Sequence, residues 1–225
     1  MIRFEKLSRG FWVRGRWKTV IDTLDLTLPT GKSLALLGRN GAGKSTLLKI
    51  IAGSMQPSTG RVVSDGTISW PIGFGGSFHP DLTGAQNVRF LARVHGVDTD
   101  ALVDFVQDFS EVGEYFHMPV RHYSSGMRAR LNFGVSMGIR FDTYLVDEVT
   151  AVGDARFRAK SQTLFRARMQ EASAILVSHN TTDLRAFCDA AVVLDDGHLT
   201  YYDDLEAAIA HHMVLMGTAP RPPAA

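Results

Sequence analysis

Between the apolar run Leu34-Ala35-Leu36-Leu37 and the amphipathic stretch Ser45 to Gly53, the chain reads Gly38-Arg39-Asn40-Gly41-Ala42-Gly43-Lys44-Ser45. A buried strand, a glycine-rich turn and a helix in that order bring backbone N–H groups and a helix N-terminus to one point. Such a point binds anionic phosphate oxygens. Lys44 adds a mobile positive charge and Ser45 a hydroxyl for magnesium, and Thr46 continues the helix start. The loop implies an α/β chain that binds a nucleoside triphosphate at the β- and γ-phosphates.

The 225 residues, 45% of them hydrophobic, suffice for one domain of generous size or one domain with an inserted subdomain. Residues 2–7 and 20–28 alternate apolar and polar, with Val20, Leu24, Leu26 and Leu28 expected on one side, and Pro29-Thr30-Gly31 turns the chain into the next strand. An antiparallel β-ribbon should therefore precede the loop. A helix is expected from about Lys44 to Ala52, stopped by Gly53, then short strands near 61–71. Residues 82–140 contain no convincing strand: Thr83 with Gln86 reads as a capping box for a helix to about His95, and Thr99 or Asp100 opens another to about Phe109. From Tyr144 onward strand and helix alternate, so a helical centre interrupts an α/β domain. The expected division is a core over about 1–78 and 141–215, a helical subdomain over about 79–140, and a disordered tail at 218–225.

Lys plus Arg number 24 against 23 Asp plus Glu, a formal charge of +1, which gives no overall electrostatic reason to bind nucleic acid. The single Cys188 can form neither an intramolecular disulfide nor a cysteine metal site, and a reducing cytosol is the expected compartment. The N-terminus lacks the apolar stretch of a secretory signal, and no run approaches the ~18 apolar residues of a membrane span. A membrane role is thus expected only through a partner. His117, His122, His211 and His212 lack metal-site spacing. Arg128, Arg130 and Arg140 read as a solvated helix face or as phosphate-side charge.

Tyr144-Leu145-Val146-Asp147-Glu148 is a strand ending in two carboxylates, of which Asp147 can hold magnesium and Glu148 can polarise an attacking water. By itself the segment reads equally well as a strand ending in a charged turn. Ala174 to Ser178 is another apolar strand, and His179 falls at its carboxyl end, where open α/β sheets bind ligands. A histidine there is also compatible with simple packing. Together with the loop, these groups at strand ends assemble one site.

GRNGAGKST, YSSGM, LVDEVTAVGD and VSHN, taken together, resemble the nucleotide-binding subunit of an ABC transporter over nearly the whole chain. The implied fold is a P-loop NTPase with a RecA-like mixed or parallel sheet, an antiparallel β-ribbon and an inserted helical subdomain. Tyr123 to Met127 occupies the family's LSGGQ position, retaining Ser124 and Gly126 while Ser125 and Met127 replace Gly and Gln. Met127, Leu131, Val135 and Ile139 recur every four residues, so a helix should begin at this turn. The resemblance implies a head-to-tail homodimer in which each ATP lies between one subunit's phosphate loop and Ser124, Ser125 and Gly126 of the other, with Asp154 crossing the interface. It assigns His179 to the γ-phosphate and expects an aromatic before the ribbon to stack on adenine, with Phe11 chosen and Trp12 and Trp17 as rivals.

The family's coupling glutamine is missing: the corresponding stretch reads WPIGFGGSFHPDLTG, and no glutamine falls between Gln56 and Gln86. ISWP, LTG, YSSGMRARL and VDEVTAVGDARF are similar to the ATPase subunits of bacterial capsular polysaccharide exporters. What this implies is ATP with Mg2+, a separate integral membrane permease, a lipid-linked polysaccharide as cargo, and a place on the cytoplasmic face of the inner membrane. Residues from Phe74 to Leu82 and the helix that follows are the expected permease contacts. O-antigen, teichoic acid or another export cargo is the alternative, and the chain's ending soon after its last helix favours capsule. A soluble nucleic-acid ATPase is disfavoured by the absence of a coiled-coil insertion, a second phosphate loop and a basic arm. A non-hydrolysing module that uses ATP only to dimerise is disfavoured by Glu148 and His179.

Overall fold

The computed structural model describes residues 1–72, 78–147, 154–178 and 180–217. The first half comprises β1 (Ile2–Val13), β2 (Arg16–Leu28), β3 (Leu34–Leu37), α1 (Lys44–Ile51) and β4 (Thr59–Ser64). Then come α2 (Gly84–Val94), α3 (Thr99–Ser110), two short 3-10 turns at Gly113–His117 and Val120–His122, and α4 (Ser125–Gly138). The chain returns to strand and helix in alternation with β5 (Thr143–Asp147), α5 (Ala155–Met169), β6 (Ser173–Val177), α6 (Thr181–Phe187), β7 (Ala190–Asp195), β8 (His198–Tyr202) and α7 (Leu205–Leu215).

The central sheet has the order β5-β6-β3-β7-β8, parallel except for the β7–β8 hairpin. Its parallel strands are largely continuous apolar runs because both faces are covered. Leu34 and Leu36 of β3 join one hydrophobic cluster with α1 and the ribbon, whereas Ala35 and Leu37 join the other with the helices. The free edge of β5 is covered by residues 68–72, where Ser69 and Ile72 donate backbone hydrogen bonds to Thr143 and Leu145. This is where strands near 61–71 were expected; β4 ends at Ser64 and the rest makes isolated bridges.

The second sheet, β2-β1-β4, is the expected antiparallel ribbon, yet its hairpin runs farther than the alternation suggested, out to the Arg14-Gly15 turn. The buried face also differs. Ile21, not Val20, is fully buried alongside Leu24 and Leu28, because register shifts and a left-handed Thr23 (φ 37°) break the pleat between the two halves of the strand. Asp22 donates its N–H to the Gly197 carbonyl at 2.9 Å, tying the ribbon to the β7–β8 turn.

In the helical centre the capping box is present: Thr83 Oγ1 accepts from the Gln86 N–H, and Gln86 Oε1 accepts from the Thr83 N–H. The next helix is capped one position earlier than expected, by Asp98, whose carboxylate accepts from the Ala101 N–H at 2.9 Å. Phe109 packs against Phe105, Phe133 and Phe157, with ring centroids 5.3–5.8 Å apart, joining α3, α4 and α5. Close approach of α3 and α4 needs Gly138, where a Cβ would fall 2.5 Å from Leu102 Cδ1.

Asn87, buried on α2, is the staple of the segment before it. Its Nδ2 donates to the carbonyls of His79, Leu82 and Thr83, and its Oδ1 accepts from the His79 N–H at 2.8 Å. Asn87→Ala should cost about 2 kcal/mol by leaving buried backbone groups without partners. Urea denaturation should register this as a lower midpoint at an unchanged slope.

Candidate nucleotide site

Strands β3, β5 and β6 end side by side, so the phosphate loop after Leu37, the carboxylate of Asp147 and the chain leaving Val177 meet at one edge of the sheet. Val20, Asn40, Gly41, Gly43, Lys44, Ser45, Thr46, Asp147 and Val177 line a common recess there. Gly38, Arg39 and Ala42 complete the loop, whose turn closes with the Ala42 N–H donating to the Arg39 carbonyl at 3.1 Å.

The glycines are required by space as well as by dihedral angle. Gly43 has φ 109°, and a Cβ on it would lie 2.5 Å from Val20 Cγ1; one on Gly38 would lie 2.4 Å from the Leu194 carbonyl oxygen. Gly43 is also the N-cap of α1, and no side chain caps that helix. With no acidic residue in its first turn either, α1 presents its N-terminal dipole and amides to an incoming anion.

Lys44 Nζ donates to the carbonyls of Gly38 and Arg39, at 2.6 and 3.1 Å, and so arches back across the loop. Ser45 Oγ donates to Asp147 Oδ2 at 3.1 Å. A hydroxyl and a carboxylate this close form a hard-oxygen pair of the type Mg2+ prefers. Glu148 and His179 both lie outside the described residues, as does Gly73–Ser77 in the stretch that lacks a glutamine.

Phe11 stands opposite Lys18, and Trp12 opposite Trp17, so the pleat sends Phe11 to one face of the ribbon and the tryptophans to the other. Arg9 lies over the Phe11 ring, 4.5 Å from its centroid. Trp17 lies over Gly10, and only a glycine fits beneath its indole.

Ser124 is the N-cap of α4 and accepts from the Met127 N–H at 3.2 Å, with Ser125 and Gly126 forming the first turn as expected for this segment. Tyr123 before it is anchored by its hydroxyl, which donates to the Tyr115 carbonyl at 2.6 Å, and burial pushes its phenol up to about 12. Asp154 caps α5, accepting from the Phe157 N–H at 2.9 Å, and this bond, ahead of the Arg130 charge, holds its carboxyl below the usual range.

Arg130 corrects the sequence expectation of a solvated charge. Its side chain is only 19% exposed, donates to Asp154 Oδ2 at 2.7 Å, and lies over the Phe157 ring at 4.6 Å. Glu111 is 4.0 Å from the same guanidinium and accepts from Lys160 at 2.8 Å. The pattern of spacing concealed this hub because its members come from α3, α4 and α5. Arg140, by contrast, is the surface charge expected, paired with Glu171 at 3.2 Å.

The ABC transporter family model matches residues 21–151, more than half of the chain. The chain belongs to the ABC transporter family. The polysialic acid transport ATP-binding protein KpsT of Escherichia coli is 45% identical over 212 residues, which are 93% of this chain and 95% of that protein. The capsule polysaccharide export ATP-binding protein CtrD of Neisseria meningitidis serogroup B is 42% identical, over 94% and 98% of the two chains. The O-antigen export system ATP-binding protein RfbB of Klebsiella pneumoniae is 36% identical, over 88% and 82%. Among solved structures, the dimeric ATP-binding cassette MJ0796 bound to ADP and Pi superposes with a TM-score of 0.73 over 89% of this chain, at 18% identity, a likeness of fold. The chain is thus an ABC ATPase.

Gly43→Ala should lower affinity for a fluorescent ATP analogue by at least about tenfold, since the added methyl displaces Val20 and strains the loop. A titration against wild type at equal helicity, checked by circular dichroism, measures it.

Proposed function

We propose that this ATPase drives export of a capsular polysaccharide through a separate membrane permease, working as a head-to-tail homodimer on the cytoplasmic face of the inner membrane. The observation that carries the cargo is the near full-length identity of 42–45% to capsule and polysialic acid export ATP-binding proteins, above the 36% to the O-antigen protein RfbB. No helix among the described residues is long and apolar enough to cross a membrane, consistent with attachment through a permease.

In this reading the loop amides of residues 38–46 and Lys44 bind the β- and γ-phosphates, and Lys44 exchanges its carbonyl partners for phosphate oxygens. Ser45 and Asp147 would hold Mg2+, which when bound offsets phosphate charge. Glu148 takes a proton from the attacking water, and His179 holds the γ-phosphate in line. Phe11 stacks on adenine, a role favoured by its place on the ribbon that sets Val20 against Gly43 of the phosphate loop. Ser124, Ser125 and Gly126 of the second subunit close over the γ-phosphate with Asp154 beside them. Hydrolysis then removes the charge both subunits share, and the dimer opens.

The permease contact is assigned to residues 78–82 and α2, continuing the stretch that begins at Phe74. Phe90 and Val94, one turn apart on α2, are 58% and 59% exposed, which supports that face as a docking surface. Phe90→Ser with Val94→Ser should leave ATP turnover of the isolated subunit intact while lowering surface polysaccharide in cells.

Glu148→Gln should retain ATP binding and lose turnover by roughly 10²- to 10⁴-fold, measured as multiple-turnover phosphate release. A deletion strain complemented with wild type or Lys44→Ala tests the cargo. Polymer retained inside cells that still synthesise it supports capsule export, whereas unchanged surface polysaccharide removes capsule as the cargo.

A further inference from the structure

β4 pairs with β1 only as far as Ser8, so from Gly10 outward the hairpin is a two-stranded blade standing clear of its sheet. Its turn is rigid: Arg14 and Gly15 both have positive φ, 49° and 77°, the geometry that matches strand twist. Every residue from Trp12 to Thr19 is exposed. Trp12 and Trp17 are 72% and 49% exposed and meet edge to face with centroids 5.6 Å apart.

Their mutual contact stabilises an otherwise marginal ribbon. It does not explain the charge around them. Arg9, Arg14, Arg16 and Lys18 lie in a stretch with no acidic residue between Glu5 and Asp22, in a chain whose net charge is only +1. Arg14, Arg16 and Lys18 form no ion pair among the described residues. The two indoles lie on one face of the tip, Arg16 and Lys18 on the other and Arg14 at the turn between them, so a blade entering end-on offers indoles and unpaired cations together to a lipid headgroup layer, where tryptophan sits at the interface and arginine meets phosphate.

We propose that the Trp12–Trp17 hairpin tip docks on an anionic phospholipid surface, giving the ATPase a membrane contact of its own beside the permease. A nucleic acid is the weaker fit to these cations, because the tip is a narrow blade with three exposed charges and offers no groove along which a backbone could run. The choice of lipid rests on the membrane-side location proposed above. Its test involves neither polymer nor permease, so the two readings fail separately.

The full chain is sedimented with vesicles of phosphatidylethanolamine containing 30% phosphatidylglycerol, and with vesicles of phosphatidylcholine alone, while tryptophan emission is recorded. The expected result is binding to the anionic vesicles with a blue-shifted emission, weakened by salt. Trp12→Ser with Trp17→Ser should remove the blue shift, and Arg14→Glu with Arg16→Glu should weaken binding by about tenfold or more. Thermal melting identifies any variant that fails to fold, and Arg14→Lys with Arg16→Lys, which keeps charge and fold, should keep binding. Equal binding to neutral vesicles, persistence in the Arg→Glu variant, displacement of the vesicles by ATP, or tighter binding to a single-stranded oligonucleotide than to anionic vesicles would each overturn the proposal.

Discussion

The structure is organised around a helix that begins without a cap. Most helices satisfy their first amides with a neighbouring side chain, as Thr83, Asp98, Ser124, Asp154, Asn180 and Asp204 do here, and among the helices of the described residues α1 alone has a glycine at that position. A side chain at Gly43 would collide with Val20, so the ribbon that packs there enforces the omission. The amides and dipole of α1 are consequently reserved for an anion, and the strands exist to hold that N-terminus against Asp147. The Ser45–Asp147 hydrogen bond holds the two oxygens 3.1 Å apart beside that N-terminus.

The helical centre is joined to this core through charge as much as through packing. Arg130 of α4 reaches Asp154 at the start of α5, while Glu111 at the end of α3 bridges Arg130 and Lys160. The aromatic rings of Phe109 and Phe157 lie beneath Lys160 and Arg130, at 4.9 and 4.6 Å, so the cations are shielded on one side and the pairs are worth more than exposed ones. The cluster therefore resists movement of α4 relative to α5.

Local chemistry was legible in the sequence wherever one segment contained it. The phosphate loop, the Thr83–Gln86 box, the Ser124 start of α4 and the parallel strands after Tyr144 all follow from neighbours in the chain. What escaped depends on partners far apart. Ile21 replaces Val20 in the core because register shifts reset the pleat, and no alternation rule anticipates a left-handed Thr23. Arg130 looked solvated because its carboxylates lie 19 and 24 residues away on other helices. The outer ribbon, rich in arginine and tryptophan, lacks the apolar alternation that marks a half-buried strand, and it folds as a hairpin through its turn and cross-strand rings.

Ser124 and Asp154 share a property that bears on the proposed dimer. Each is a helix N-cap, so each side chain is already fixed by a backbone amide, of Met127 and of Phe157 respectively. A hydroxyl or carboxylate held in this way loses little conformational freedom on binding. Arg130 then locks the two helix starts together, since it projects from the helix that Ser124 caps and grips the residue that caps the other. In the proposed head-to-tail dimer, the surface that meets the second subunit's nucleotide is therefore preassembled at both helix caps.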